Sequence, residues 1–263
     1  MVDRLMLANN GLARILLRIA RFRVSAPGVM PLPQRGRCAS CDRTSVFTVG
    51  ANRSLRRRMA DWPYHDSILG DLATRENYFC IWCGRNFRMR QVASVARSAI
   101  EDADVYEPAA FGVLTARTRR GARSYVDSEY IEGARPGQLI RGRRHEDLME
   151  LTFPDESLDV VITSEVLEHV ADPWRAFTEI RRVLRADGRH IFSVPMIPGE
   201  MTASRSGKPP VYHADPLRRS GIVVHTDFGD DLPQLLAPLG FQTTVHAFPR
   251  EYPVARVFES VAV

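Results

Sequence analysis

Residues 158–194 read LDVVITSEVLEHVADPWRAFTEIRRVLRADGRHIFSV, and this stretch decides the fold. Leu158 to Thr163 and His190 to Val194 are short, largely apolar runs of strand length, the pattern of buried strands. Between them, Pro173 to Leu184 puts Ala176, Phe177, Ile180 and Leu184 on one helical face. Pro173 stands in the first turn of that helix, and Asp187-Gly188 closes the unit. A strand, an amphipathic helix and a second strand form a β-α-β crossover, which pairs its strands in parallel. Working outward, Asp104 to Tyr106 and Ser124 to Asp127 are further candidate strands. Asp231 to Leu239 reads as a helix ending at Gly240, and Gln242 to Phe248 with Ala255 to Val263 as a closing strand pair. Residues 101–263 are therefore expected to form one α/β domain around a mainly parallel sheet.

The whole chain has 263 residues, 44% hydrophobic and 25% charged, which excludes general disorder. No run of eighteen apolar residues is free of charge, so no transmembrane segment is expected. Arg4, Arg14, Arg18, Arg21 and Arg23 interrupt the amino terminus where a signal peptide needs an apolar core. The chain reads as cytoplasmic. Charge is divided unevenly: residues 1–100 carry 17 arginines against 6 acidic residues, a net +11, whereas the remainder is net −6. Two modules with different partners are expected, the first drawn to an anionic surface such as RNA or a membrane.

The run Asp147-Leu148, Leu151 to Ile162, Ser164-Glu165-Val166-Leu167-Glu168-His169-Val170 and Ile180 to Gly188 resembles class I S-adenosylmethionine-dependent methyltransferases. Within them it is similar to the quinone-biosynthesis-like set, methyltransferase type 11. The resemblance covers residues 104–263 and is densest over 145–195. It implies a Rossmann-like, seven-stranded sheet whose last strand is antiparallel, with the cofactor across the carboxyl ends of the strands.

Residue by residue, the resemblance implies that Glu107 is the acid ending the first strand and Gly112 a glycine of the loop that follows. Pro108 and the segment 109–111 stand where the family has further glycines, so this loop is expected to take another path or to bind the cofactor more weakly. Glu129, with Asp127 as the near alternative, is the carboxylate for the two ribose hydroxyls, since two acceptor oxygens match two adjacent donors. Asp147 and Leu148 match the adenine site, and Glu165 faces the methionine part of the cofactor. His169 is a candidate base on a substrate hydroxyl, because imidazole titrates near neutral pH; orienting the loop or capping the next helix is the alternative. His213, close to Tyr212 and Asp215 on a Pro-rich loop, ranks equally as a base or a turn residue.

All four cysteines fall in two pairs of the same spacing, Cys38-Ala-Ser-Cys41 and Cys80-Ile-Trp-Cys83. Two such knuckles complete a closed all-sulfur set suited to a structural Zn²⁺, with two disulfides or four unrelated buried cysteines as the alternatives. The 38 residues between the pairs exceed a compact ribbon, so either an inserted helical segment around Asn52 to Ala60 or a less regular module is expected to bridge them, and His65 could replace one thiolate. A zinc-binding module is thus expected over 31–100, preceded at 1–30 by a segment in which Leu12, Ile15, Leu16 and Ile19 oppose Arg14, Arg18 and Arg21. That basic amphipathic helix suits peripheral membrane contact or packing on its own domain. The linker through Pro27, Pro31 and Pro33 leads into the first knuckle. Aromatics around the cysteines, including Trp62, Tyr78, Trp82 and Phe87, are expected as module core in preference to a nucleic-acid stacking platform.

The resulting functional expectation is methyl transfer from S-adenosylmethionine to a small-molecule acceptor, an oxygen on a saccharide or lipid-linked substrate first. A zinc-containing RNA methyltransferase and a methyltransferase-like binding protein are the alternatives.

Overall fold

The computed structural model describes residues 33–49, 75–76, 78–108, 111–213, 220–247 and 256–263. The expected basic helix, the linker through Pro31, the helical segment at 52–60, Trp62 and His65 lie outside the described residues.

Strands β1 (Gln34–Cys38), β2 (Arg43–Val49) and β3 (Tyr78–Cys80) form a small antiparallel sheet in that order. Phe47, Tyr78 and Phe87 pack with the cysteines as its core. The Arg90 guanidinium lies 3.8 Å from the centre of the Phe47 ring, a stacked contact that covers an otherwise thin core. Helix α1 (Phe87–Ala96) begins where the Asn86 side chain accepts the Met89 amide at 2.9 Å, satisfying one of the open donors of the first turn. Val92, Ala93 and Ala96 on its inner face pack against the large sheet. Part of the stretch assigned to the zinc module thus serves as a cover for the α/β domain.

The large sheet takes β4 (Asp104–Glu107) and β5 (Ser124–Asp127) first. Strands β6 (Leu139–Ile140) and β7 (Arg143–Arg144) pair only with each other. Then come β8 (Leu158–Ser164), helix α2 (Pro173–Val183) and β9 (Leu184–Ser193). Beyond β9, β10 (Ala203–Ser204) pairs with β13 (Thr226–Asp227), enclosing the ribbon of β11 (Tyr212–His213) and β12 (Ile222–Val223). Helix α3 (Leu232–Leu236), β14 (Phe241–Ala247) and β15 (Arg256–Ala262) complete the domain. The order across the sheet is β14-β15-β9-β8-β4-β5, with β5, β4, β8 and β9 parallel and β15 antiparallel to both neighbours. This is a Rossmann-like mixed sheet.

Among the described residues it has six strands, where seven are expected. The segment that would extend it past β5 instead turns tightly at Arg141 and Gly142, both at positive φ (51° and 78°), as a two-residue hairpin turn requires. One parallel bridge, Glu129 to His145, ties that hairpin to the end of β5.

Side chains alternate across the sheet as the two-residue period demands. Val105, Val160, Ile162, Ile191 and Val257 face α1, while Tyr106, Val161, Phe192 and Phe258 join Phe177 and Ile180 of α2 on the other face. Asp172 caps α2 by accepting the Trp174 and Arg175 amides at 3.1 Å each. No helix among the described residues is long and apolar enough to cross a membrane.

Candidate functional site

The two cysteine pairs come together. Cys38 Sγ lies 3.8 Å from Cys83 Sγ, and Cys41 Sγ lies 3.9 Å from Cys80 Sγ; all four cysteines are free. A disulfide needs sulfurs about 2.05 Å apart, whereas a tetrahedron of thiolates around one ion with bonds of about 2.3 Å has edges of about 3.8 Å. The separations therefore match a metal set and exclude the paired alternative. The knuckles are built alike: the residue after each pair, Asp42 or Gly84, takes positive φ (54° and 70°). Each donates its amide to the carbonyl of the first cysteine of its pair, at 2.8 and 2.9 Å.

This module touches the loop that follows β4. Arg85 Nε donates to the Gly112 carbonyl at 3.1 Å, while the Ser40 carbonyl accepts the Thr115 amide at 3.2 Å and the Thr118 hydroxyl at 2.9 Å. From below, the buried Glu107 carboxylate holds the same loop by accepting the Val113 amide and the Tyr125 hydroxyl. Burial raises the pKa of Glu107, opposed by those two bonds, and burial beside Glu107 raises that of Tyr125. Gly112 packs flat on this carboxylate: a Cβ there would lie 2.7 Å from Glu107 Oε1. Gly112 is thus needed for close approach, and the group approached in this structure is Glu107.

Glu129 follows the carboxyl end of β5, with its backbone fixed by the Arg144 carbonyl and the Glu146 amide. The near alternative, Asp127, is paired with Arg119 at 2.9 Å. Asp147 turns its side chain back onto the Met149 amide at 2.8 Å, while Leu148 enters the core.

At the carboxyl end of β8, Glu165 sits at φ 57°, an unusual backbone state for a residue with a side chain. Arg75 Nη2 donates to its Oε1 at 2.5 Å, and Ser193 Oγ does so at 3.1 Å. Arg88 reaches the Ser164 hydroxyl at 2.5 Å and Glu76 at 2.8 Å. Burial alone would raise the pKa of Glu76, but Arg88 and Arg75 outweigh it and bring it down to about 2. Burial likewise disfavours the Arg88 cation, yet Glu76 and Glu165 reverse that effect. Arg75, Glu76, Arg88, Ser164 and Ser193 are members of the site that sequence reasoning missed.

The two candidate bases converge on one carboxylate. Leu167–His169 form a short 3-10 turn after β8, and the β11–β12 ribbon folds over it. His169 Nε2 lies 3.5 Å and His213 Nδ1 3.6 Å from Glu168 Oε1, and the two rings meet edge to face at 5.0 Å. Gly221 permits this: a Cβ there would lie 2.5 Å from the His213 carbonyl oxygen. Burial pushes Glu168 up and His213 down, but their mutual attraction wins, lowering the carboxyl pKa and raising that of the imidazole. A separate cleft of about 460 Å³, lined in part by Ser98, Asp159, Ala186 and Arg189, opens near the amino ends of β8 and β9, away from these groups.

Residues 121–192 match the family model described as a methyltransferase domain. An uncharacterized methyltransferase of Mycobacterium marinum is 31% identical over 132 residues, covering 45% of this chain and 49% of that protein. A probable S-adenosylmethionine-dependent methyltransferase of Mycolicibacterium smegmatis is 44% identical over 52 residues, covering 20% of each chain. The chain thus spans half or less of the length of these relatives. Among solved structures, an S-adenosylmethionine-dependent methyltransferase from Mesorhizobium loti is 18% identical, with 65% of this chain and 97% of that chain covered and a TM-score of 0.43.

Proposed function

We propose that the protein transfers a methyl group from S-adenosylmethionine to a small-molecule acceptor, foremost an oxygen of a saccharide or lipid-linked substrate, and that Cys38, Cys41, Cys80 and Cys83 hold a structural Zn²⁺. One observation carries the first part: Glu107, Gly112, Glu129 and Glu165 fall at or beyond the carboxyl ends of β4, β5 and β8, around the switch point of the sheet, and Asp147 and Leu148 closely follow His145, which bridges to Glu129 there. Ligands of open α/β sheets bind at that edge. In this reading Glu129 takes the ribose hydroxyls, Asp147 and Leu148 line the adenine side, and Glu107 with Gly112 shapes the loop for the amino-acid part. The bound sulfonium supplies an activated methyl group, and the chain mainly aligns donor and acceptor. Glu165 faces the methionine part, and His169 and His213 stand on the acceptor side. The cysteine set suits Zn²⁺ by ligand type and spacing, and its contacts with the loop after β4 give it a supporting part in cofactor binding.

Titration calorimetry of the zinc-loaded full chain with S-adenosylmethionine tests the proposal, beside Glu129→Ala. Hydrogen bonds to a charged acceptor contribute about 1.5–3 kcal/mol each. Loss of two should weaken binding by roughly a hundredfold or more. Absence of heat and of thermal stabilisation at saturating cofactor in the wild-type chain would overturn it.

A further inference from the structure

Glu168 is 1% exposed, and neither of its carboxylate oxygens accepts a hydrogen bond among the described residues. Buried carboxylates are ordinarily satisfied, because an ionised oxygen without a partner loses its hydration for nothing. Its two facing groups, His169 Nε2 at 3.5 Å and His213 Nδ1 at 3.6 Å, stand too far for hydrogen bonds. These distances have another meaning. Nitrogen and oxygen ligands about 2.0–2.2 Å from one cation in tetrahedral array are separated by about 3.3–3.6 Å. The three ligand atoms all lie within 4.8 Å of one another.

The outer contacts point the same way. His169 Nδ1 is 2.7 Å from the Val223 carbonyl, which can only accept. The proton is therefore on Nδ1, and in the neutral ring Nε2 turns a lone pair towards Glu168. Two acceptors facing each other repel, and a cation between them, a proton or a metal ion, removes that repulsion. A backbone carbonyl fixing the far nitrogen is the support that metal-bound histidines usually have. Val223 belongs to β12, the partner strand of the one that carries His213, so a single ribbon orients both imidazoles.

We infer that Glu168, His169 and His213 form a divalent first-row metal site, distinct from the four cysteines, with an open position facing the acceptor. This deepens the methyl-transfer reading and rests on it for the role of the ion. An acceptor hydroxyl bound at the open position loses its proton to solvent water, because the cation stabilises the alkoxide or phenolate. That oxygen then forms the O–CH3 bond as the S–CH3 bond breaks, and the sulfonium becomes a neutral thioether. The substrate class is accordingly a hydroxylated small molecule whose hydroxyl oxygen takes the open position on the cation.

Cobalt(II) titration of the apo full chain tests the site, read by metal content after gel filtration and by absorption. Two Co²⁺ per chain are expected, one with the thiolate-to-cobalt charge-transfer band and one without. Glu168→Gln, which preserves shape, and His213→Ala should each reduce the count to one while keeping the thiolate band, which also reports that the module is folded. A count of one in the wild-type chain, or two in both variants, would overturn the inference. Titration with S-adenosylmethionine on the same samples separates the two claims. A second Co²⁺ in a chain that does not bind S-adenosylmethionine leaves the metal site standing and removes its methyl-transfer role.

Discussion

Gly112→Ala tests how the loop after β4 is held. The added Cβ would stand 2.7 Å from Glu107 Oε1 and 2.5 Å from Cδ, so the carboxylate has to retreat by nearly 1 Å to reach ordinary contact. A glutamate tip usually swings aside at little cost, but this residue is 2% exposed and accepts from the Val113 amide and the Tyr125 hydroxyl. Moving it breaks both bonds inside the protein. At about 1.5–3 kcal/mol for each bond to a charged acceptor, the loss is about 3–6 kcal/mol. For a chain of this size, that lowers the unfolding midpoint by roughly 10 °C. Differential scanning calorimetry gives the midpoint, and titration with S-adenosylmethionine should show weakened binding. Because Gly112→Ala already removes the Tyr125 bond, Tyr125→Phe should destabilise the wild-type chain but have less effect in the Gly112→Ala background. A midpoint within about 2 °C of wild type, a small shift on the scale of one kcal/mol, or full additivity of the two substitutions would refute this account of the loop.

Removing zinc with a chelator, or introducing Cys41→Ser, should unfold the small sheet and also weaken cofactor binding, because Arg85 and the Ser40 carbonyl both hold the 112–118 segment; calorimetry on chelated and zinc-restored protein checks both. Burial holds the His190 pKa down to about 3, so the unfolded chain binds more protons than the folded one between about pH 6.5 and 3. The stability contribution is present above pH 6.5 and is lost as pH falls, about 2 kcal/mol at pH 5. Urea denaturation at pH 7.5 and 5 should show that loss in the wild-type chain and a smaller one in His190→Phe, whose ring suits the neighbouring Phe177 and Phe192.

Most of the α/β domain was legible because its signals are local. The apolar runs at 104–106, 124–127 and 158–163 became strands, and Pro173 with Ala176, Phe177 and Ile180 set the helix that buries them. The missing edge strand was not legible: residues 139–144 contain strand-forming Leu139 and Ile140, and only the backbone at Arg141 and Gly142 turns them into a hairpin. The role of 87–96 was also hidden, since its position in the chain joins it to the cysteines while its apolar face lies on the sheet. The site divides in the same manner. Glu165, Glu168 and His169 stand together in one motif. Arg75 and Arg88 come to Glu165 and Ser164 across separations of 90 and 76 residues, and arginine spacing in a basic segment gives no sign of such contacts. His213 is a candidate from its loop alone, but its approach to Glu168 depends on the β11–β12 ribbon.

The central claim is that the carboxyl rim of β4, β5 and β8 is a methyl donor site, and a crystal structure of the zinc-loaded chain with S-adenosylhomocysteine tests it most directly. The account predicts the ligand across that rim, with its ribose hydroxyls on Glu129, its adenine beside Asp147 and Leu148, and its sulfur turned towards Glu165 and the two histidines. Ligand found elsewhere, or a rim left empty at saturating concentration, would contradict it.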